Sequence, residues 1–180
     1  LCEDNLRRVA TRAQALGNFL RIDMEDSPYT DDTIAIYRTL KQEGLPVGLV
    51  LQAMLRRTLD DIKGLADLEP NLRICKGVYR EPEEIAFTTY DEVNEAFHAI
   101  LEYTLARPDV YYIGIATHDD PVIQGAEALI DEHGLGPEQV EFQMLLGVRP
   151  EVRHQLVERG HTVRIYVPFG TEWYAYCVRR

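Results

Sequence analysis

Three segments of the chain gather groups that could grip an anion or a polar ring. The first is Gly170 to Arg180, which reads as helical and puts Tyr176, Arg179 and Arg180 on one face, three and four residues apart. Two adjacent guanidiniums beside a phenol can hold a carboxylate through bidentate, charge-assisted bonds. A solvated basic helix end, favoured by the helix dipole, accounts for the same residues without a ligand. The second segment is Leu72-Arg73-Ile74-Cys75-Lys76-Gly77-Val78-Tyr79. Strand alternation sets Arg73 and Cys75 on one face, Ile74 and Lys76 on the other. A guanidinium in mid-strand is costly to bury unless paired, so something anionic or electron-rich should face Arg73. A structural ion pair with Asp23 or Glu141 would also satisfy it. Gly77 lets a backbone or a ligand come close.

The third segment, Thr117-His118-Asp119-Asp120, follows a strand and opens a helix, where free N–H groups suit a phosphate. A capping role explains His118 equally well, and Asp119 with Asp120 reads as a solvated first turn. The five histidines show no ligand pairing with Cys or Asp, so no metal is expected. Serine occurs only at Ser27, and neither a Gly-x-Ser-x-Gly elbow nor a phosphate-binding Walker loop is present. Acyl and phosphoryl transfer are therefore poorly supported. Redox chemistry on a cofactor asks the protein only for binding and orientation, and fits better.

The elements that must position these groups alternate regularly. Strand-like runs cover 18–23, 47–53, 72–77, 111–117, 140–145 and 162–167, each followed by a helical pattern. The first helix spans about Asp4 to Ala15; the last runs from Glu172 to Arg180. Thr30 is placed to cap a helix whose first turn holds Asp31 and Asp32, and Gly44 ends it. Six strands with helical crossovers mean a parallel sheet. No Gly-x-Gly-x-x-Gly follows the first strand, as a dinucleotide-binding open sheet would require. Polar residues instead end nearly every strand: Asp23, Gln52, Lys76, Thr117, Gln143 and Tyr166. Such convergence suits a (βα)8 barrel, whose site lies at the C-terminal ends of its strands. With six strands visible, the first two are expected upstream of Leu1. Residues 1–180 then form one partial barrel domain, from the third strand into the eighth helix.

Composition bounds the rest. The chain has 180 residues, 46% hydrophobic, and a net charge of −11 from 19 basic and 30 acidic residues. So acidic a chain is a poor nucleic-acid binder, and an anionic substrate must be held by a few local cations. No apolar run reaches the length of a membrane span, and no leader peptide is visible. Glu81-Pro82-Glu83-Glu84 reads as a solvated face. Cys2, Cys75 and Cys177 lack metal-ligand spacing and suit packing roles in a reducing cytoplasm.

Taken together, the motifs resemble the proline dehydrogenase family, including the barrel domain of bifunctional proline utilisation proteins. The matches are Arg-x-x-Lys-Gly-x-Tyr at 73–79, Ala-Thr-His at 116–118, Glu-Phe-Gln-Met-Leu at 141–145, and Arg-Ile-Tyr-x-Pro-x-Gly…Tyr-x-x-Arg-Arg from Arg164 to Arg180. Ile-Asp-Met-Glu at 22–25 is a weaker fifth. The resemblance implies a distorted (βα)8 barrel holding FAD. It puts Arg73 near flavin N5 and Gln52 on the pyrimidine side. Met24, Lys76, Gly77 and Val78 would contact the FAD, Thr117 and His118 its pyrophosphate and adenosine part, and Gln143 the flavin. Ile74, Tyr79, Tyr166 and Tyr176 would wall the substrate pocket, and Arg179 and Arg180 would clamp the carboxylate of L-proline. Asp23 would orient a lysine on a strand before Leu1, so the chain alone is expected to be inactive. The implied reaction is oxidation of L-proline to 1-pyrroline-5-carboxylate, with electrons passed to a membrane quinone by a cytoplasmic enzyme placed peripherally at the inner membrane face. Two alternatives stay open: another flavin barrel, such as a methylenetetrahydrofolate reductase, and a barrel that binds FAD or an acidic ligand without turnover.

Overall fold

The computed structural model describes residues 1–171 and Tyr174. Strand and helix alternate as expected. Helix α1 (Cys2–Ala15) leads into β1 (Leu20–Ile22), α2 (Thr30–Gln42), β2 (Val47–Gln52), α3 (Thr58–Gly64), β3 (Asn71–Cys75), α4 (Tyr90–Leu105), β4 (Tyr112–Ala116), α5 (Asp120–His133), β5 (Val140–Leu145), α6 (Pro150–Glu158) and β6 (Val163–Tyr166). Short 3-10 turns cover Ser27–Tyr29 and Ala66–Leu68. Local chemistry sets several boundaries. Thr89 and Glu92 form a reciprocal capping box that starts α4. Gly134, at φ +61°, ends α5 in the left-handed conformation that glycine adopts without strain. Thr30 is the first residue of α2, not its cap, because the preceding turn begins at Ser27. The helix expected from Glu172 to Arg180 lies outside the described residues.

All six strands pair in parallel, and their order in the sheet is their order in the chain. An open doubly wound sheet would reverse direction part-way. Here each crossover steps to the same side, so right-handed connections place the helices on one face and the sheet curls toward the other as a half-barrel. The pairing register separates the two faces. Leu49, Leu72, Ile113 and Val140 share the helix-covered face with Leu51, Ile74, Ile115, Phe142 and Met144, and all are buried in one apolar core.

The opposite face is polar. It carries Arg21, then Gly48, Val50 and Gln52, then Asn71, Arg73 and Cys75, then Tyr112, Gly114 and Ala116, then Glu141 and Gln143, then Arg164 and Tyr166. One face excludes water and the other presents hydrogen-bonding groups, which is the patterning of a barrel wall.

Ile74, expected to wall the substrate pocket, lies on the helix-covered face of the sheet. It is fully buried, level with Leu51 and Ile115, while its neighbour Arg73 points the opposite way. Met24, expected to contact the cofactor, is likewise buried and packs in the apolar core. Ile74→Ala should therefore destabilise the folded protein by about 2–5 kcal/mol through the cavity it leaves. Denaturant unfolding checks this, and an unchanged midpoint would return Ile74 to the pocket.

Candidate active site

Arg73 occupies the middle of the polar face, with its side chain only 16% exposed. Its Nη1 donates to Asp23 Oδ1 at 3.0 Å, and its Nε donates to Gln143 Oε1 at 2.5 Å. The guanidinium also lies over the Tyr166 ring, 5.7 Å from its centroid. Three residues expected to act together, from β3, β5 and the end of β1, thus meet in one cluster. The ion pair with Asp23 that the sequence allowed is present, and it sits inside the site. Asp23 itself is largely exposed, so its carboxylate pairs with Arg73 while still open to solvent.

Gln143 links this cluster to a deeper one. Its Nε2 donates to Glu141 Oε1 at 2.5 Å. Glu141 is 1% exposed and receives two further bonds from Arg164, Nε at 2.7 Å and Nη2 at 2.8 Å. Burial works to raise the Glu141 pKa, but the bonds from Arg164 and Gln143 outweigh it and hold the carboxyl below its ordinary value. On the same face Tyr112 is pushed up to about 12 by burial and by the charge on Glu141, so it stays a neutral phenol. Arg21 reaches across Gly48 to Asn71, giving Nη1 to its carbonyl at 2.9 Å and Nη2 to its Oδ1 at 2.6 Å. Burial, and then the charge on Arg73, push Arg21 down to about 10.

At the C-terminal edge, Gln52 is 3% exposed, with Nε2 bonded to the Glu25 carbonyl at 3.3 Å. Its Oε1 is buried without a hydrogen-bond partner among the described residues. A buried, unsatisfied acceptor is costly, so this amide is poised to receive an N–H from a ligand. Beside the donors of Arg73, it suits the edge of a flat heterocycle that offers both donors and acceptors.

The loop after β3 forms the rim. Gly77 adopts φ +108°, and a side chain there would run into Met54. Val78 is exposed and Tyr79 partly so, with the Tyr79 hydroxyl donating to Glu25. Lys76 departs from the polar face, as alternation requires, and pairs with Asp119 at the start of α5. The Tyr90 hydroxyl donates to the same carboxylate at 2.7 Å, and the Lys76 ammonium stands 4.5 Å from the Tyr90 ring centroid. Asp119 is therefore engaged, not merely solvated. So is Glu81, which accepts from the Ser27 N–H and hydroxyl, both at 2.8 Å, and ties this rim to the loop after β1. Thr117 is buried, its hydroxyl accepting from the Asp119 N–H at 3.1 Å. His118 Nε2 accepts from the Leu145 N–H at 2.9 Å, so the ring braces β5. Tyr176, Arg179 and Arg180 lie outside the described residues.

Sequence reasoning missed the Glu141–Arg164 pair and the capture of Lys76 by Asp119 and Tyr90. The signal for the first was there: a charged residue alternating with apolar ones in both Val140-Glu-Phe-Gln-Met and Val163-Arg-Ile-Tyr. The second depends on two helix starts converging and has no local signature.

The depressed Glu141 pKa makes a claim about acid stability. A carboxyl titrating lower in the fold than its ordinary 4.5 contributes stability that is complete above that value and is lost as pH falls through the folded one. The melting temperature should therefore drop below about pH 4.5, and Glu141→Gln should make that drop shallower. An acid limb of equal steepness in both proteins would contradict the assignment.

A family model described as proline dehydrogenase matches residues 4–180. Proline dehydrogenase 1 of Bacillus subtilis subsp. natto is 40% identical over 176 residues, 98% of this chain and 58% of the relative. Proline dehydrogenase of Deinococcus radiodurans is 39% identical over 178 residues, 98% of this chain and 57% of the relative. The chain thus spans a little under three-fifths of these relatives. The crystal structure of proline utilization A from Bdellovibrio bacteriovorus, inactivated by N-propargylglycine, superposes with a TM-score of 0.91 over 98% of this chain and 21% of that one. At 24% identity that likeness bears on the fold alone. With a family model over nearly the whole chain, the protein belongs to the proline dehydrogenase family.

Proposed function

We propose that the intact protein oxidises L-proline to 1-pyrroline-5-carboxylate on a bound FAD and passes the electrons to a membrane quinone, as the first step of proline breakdown. The observation that carries the reading is the arrangement of Arg73: a guanidinium held by Gln143 and Asp23, on the same face as Gln52, whose Oε1 has no partner among the described residues. Family membership supports it independently. FAD, when bound, supplies the hydride acceptor.

The residues present fit that group. Gln52 offers the acceptor its pyrimidine edge needs, and Arg73 the fixed positive charge that favours electron-rich character beside it. Lys76, Gly77 and Val78 would line its path along the rim, with Thr117 and His118 near its pyrophosphate and adenosine part. Tyr79, Tyr166 and Tyr176 would enclose the substrate ring. Arg179 and Arg180 would grip the proline carboxylate, fixing the ring so that one carbon faces the reactive centre. Asp23, beside Arg73, would hold the cationic side of the site in register. No helix among the described residues is long and apolar enough to cross a membrane; a cytoplasmic protein meeting the quinone at the membrane surface is the proposed arrangement.

The half-barrel would close to the eight-strand form through strands contributed by the rest of the protein. Six parallel strands in chain order support this, since the common closed α/β barrel has eight. A polypeptide beginning at Leu1 should then bind less than about one-tenth of the FAD per chain that the intact protein holds. Flavin absorbance measured on both checks it, and stoichiometric FAD on the shorter chain would rule out closure as a requirement.

Anaerobic addition of L-proline should bleach the visible flavin bands of the intact protein, with D-proline far less effective. A yellow protein that proline does not bleach would overturn the reading. Arg180→Met should raise the apparent KM for proline by at least about tenfold with FAD content unchanged, because it removes a charge-assisted bond in a partly dry site. Steady-state kinetics decide this, and an unaltered KM would make the arginine pair a solvated helix end.

A further inference from the structure

The bonds around Gln143 form a directed chain, and its far end lies outside the set of residues expected to meet substrate or cofactor. Arg73 can only donate and an ionised Glu141 can only accept. Gln143 bridges the two, giving its Nε2 to Glu141 and receiving Arg73 Nε on its Oε1. Turning the amide over would set NH2 against a guanidinium and C=O against a carboxylate, so both contacts would become repulsive. Glu141 therefore selects which end of the amide Arg73 meets.

The backbone makes room for this bridge. Arg73, Gly114 and Glu141 lie level on neighbouring strands, and Gln143 is two residues further along β5, on the same face. A side chain at position 114 would occupy the space of the Gln143 amide. The strand between Arg73 and Gln143 thus carries a residue with nothing to obstruct them. At the other end Arg164 grips both Glu141 oxygens and keeps the carboxylate ionised and immobile.

Resting on the proposed reaction, we infer that Glu141 is a positioning residue: acting through Gln143, it fixes the plane and direction of the Arg73 guanidinium at the reacting centre. The inference needs no contact between Glu141 and substrate or cofactor. The competing view is that it merely neutralises Arg164, and the two views predict different outcomes.

The test uses the intact, FAD-loaded protein labelled with 15N, in which the Arg73 Nε–H resonance is identified by its loss in Arg73→Lys. Glu141→Gln should speed solvent exchange of that proton and lower kcat, each by about tenfold, while KM for proline moves less than about twofold. On a Gln143→Leu background the same substitution should change kcat by less than about twofold, since the bridge is already gone. Glu141→Gln combined with Arg164→Gln removes the unpaired charge; it should recover the melting temperature but neither the rate nor the slow exchange. Should Glu141→Gln fail to fold, this paired variant decides the matter alone. Unaltered Arg73 exchange, full rescue of the rate by Arg164→Gln, or an equal loss on both backgrounds would each overturn the inference. A wild-type protein that proline does not reduce would refute the reaction, yet the exchange data would still decide whether Glu141 orients Arg73.

Discussion

A guanidinium on an inward sheet face must find oxygen atoms at fixed positions, and most of this structure follows from that demand. Arg21, Arg73 and Arg164 each meet it differently. Arg164 uses a buried carboxylate, Arg21 a carbonyl and a side-chain amide two strands away, and Arg73 a carboxylate on one side with an amide on the other. Leaving the largely buried Arg73 unpaired would cost several kcal/mol. Glycines at 48 and 114 are the geometric condition for two of these solutions, because the strand in between must not obstruct the reach. The apolar face needs no such care; branched and aromatic side chains fill it by volume alone.

This division also separates long-range from short-range electrostatics in an acidic chain. The net charge of −11 would repel a carboxylate at long range. Acidic residues on the described surface, such as Asp31, Asp60 and Asp67, stand well exposed and are screened by salt. Arg73, its side chain only 16% exposed, acts at short range on its own partners, where screening is weaker.

The architecture was largely legible in the sequence. Six runs such as Val47–Gln52 and Val140–Leu145 alternate with helical patterns, and the polar residues at their ends pointed to a barrel wall. Arg73 was recognisable because a lone charge in Leu72-Arg-Ile-Cys cannot be buried without partners. What was not legible depended on distance across the sheet. Alternation set Ile74 on the face opposite Arg73, but only the pairing register shows that this face is the helix-covered one. Asp119 looked like a solvated turn because nothing local announces that Lys76 and the Tyr90 hydroxyl arrive there from β3 and α4. The Glu141–Gln143–Arg73 chain depends on a register between β3, β4 and β5 that no single segment encodes.

The bond from Arg73 to Gln143 joins residues 70 apart in the chain and skips the strand between them. During folding, β3 and β4 can pair before β5 arrives, but Arg73 then lacks its amide acceptor. Sequential βα units could thus assemble a wall whose chemistry is still absent. Contacts of such long sequence separation pay their loop-closure entropy first and form late. The bridge therefore exists only once the fifth strand has docked, and a chain stalled one strand earlier would have the first part of the wall without it.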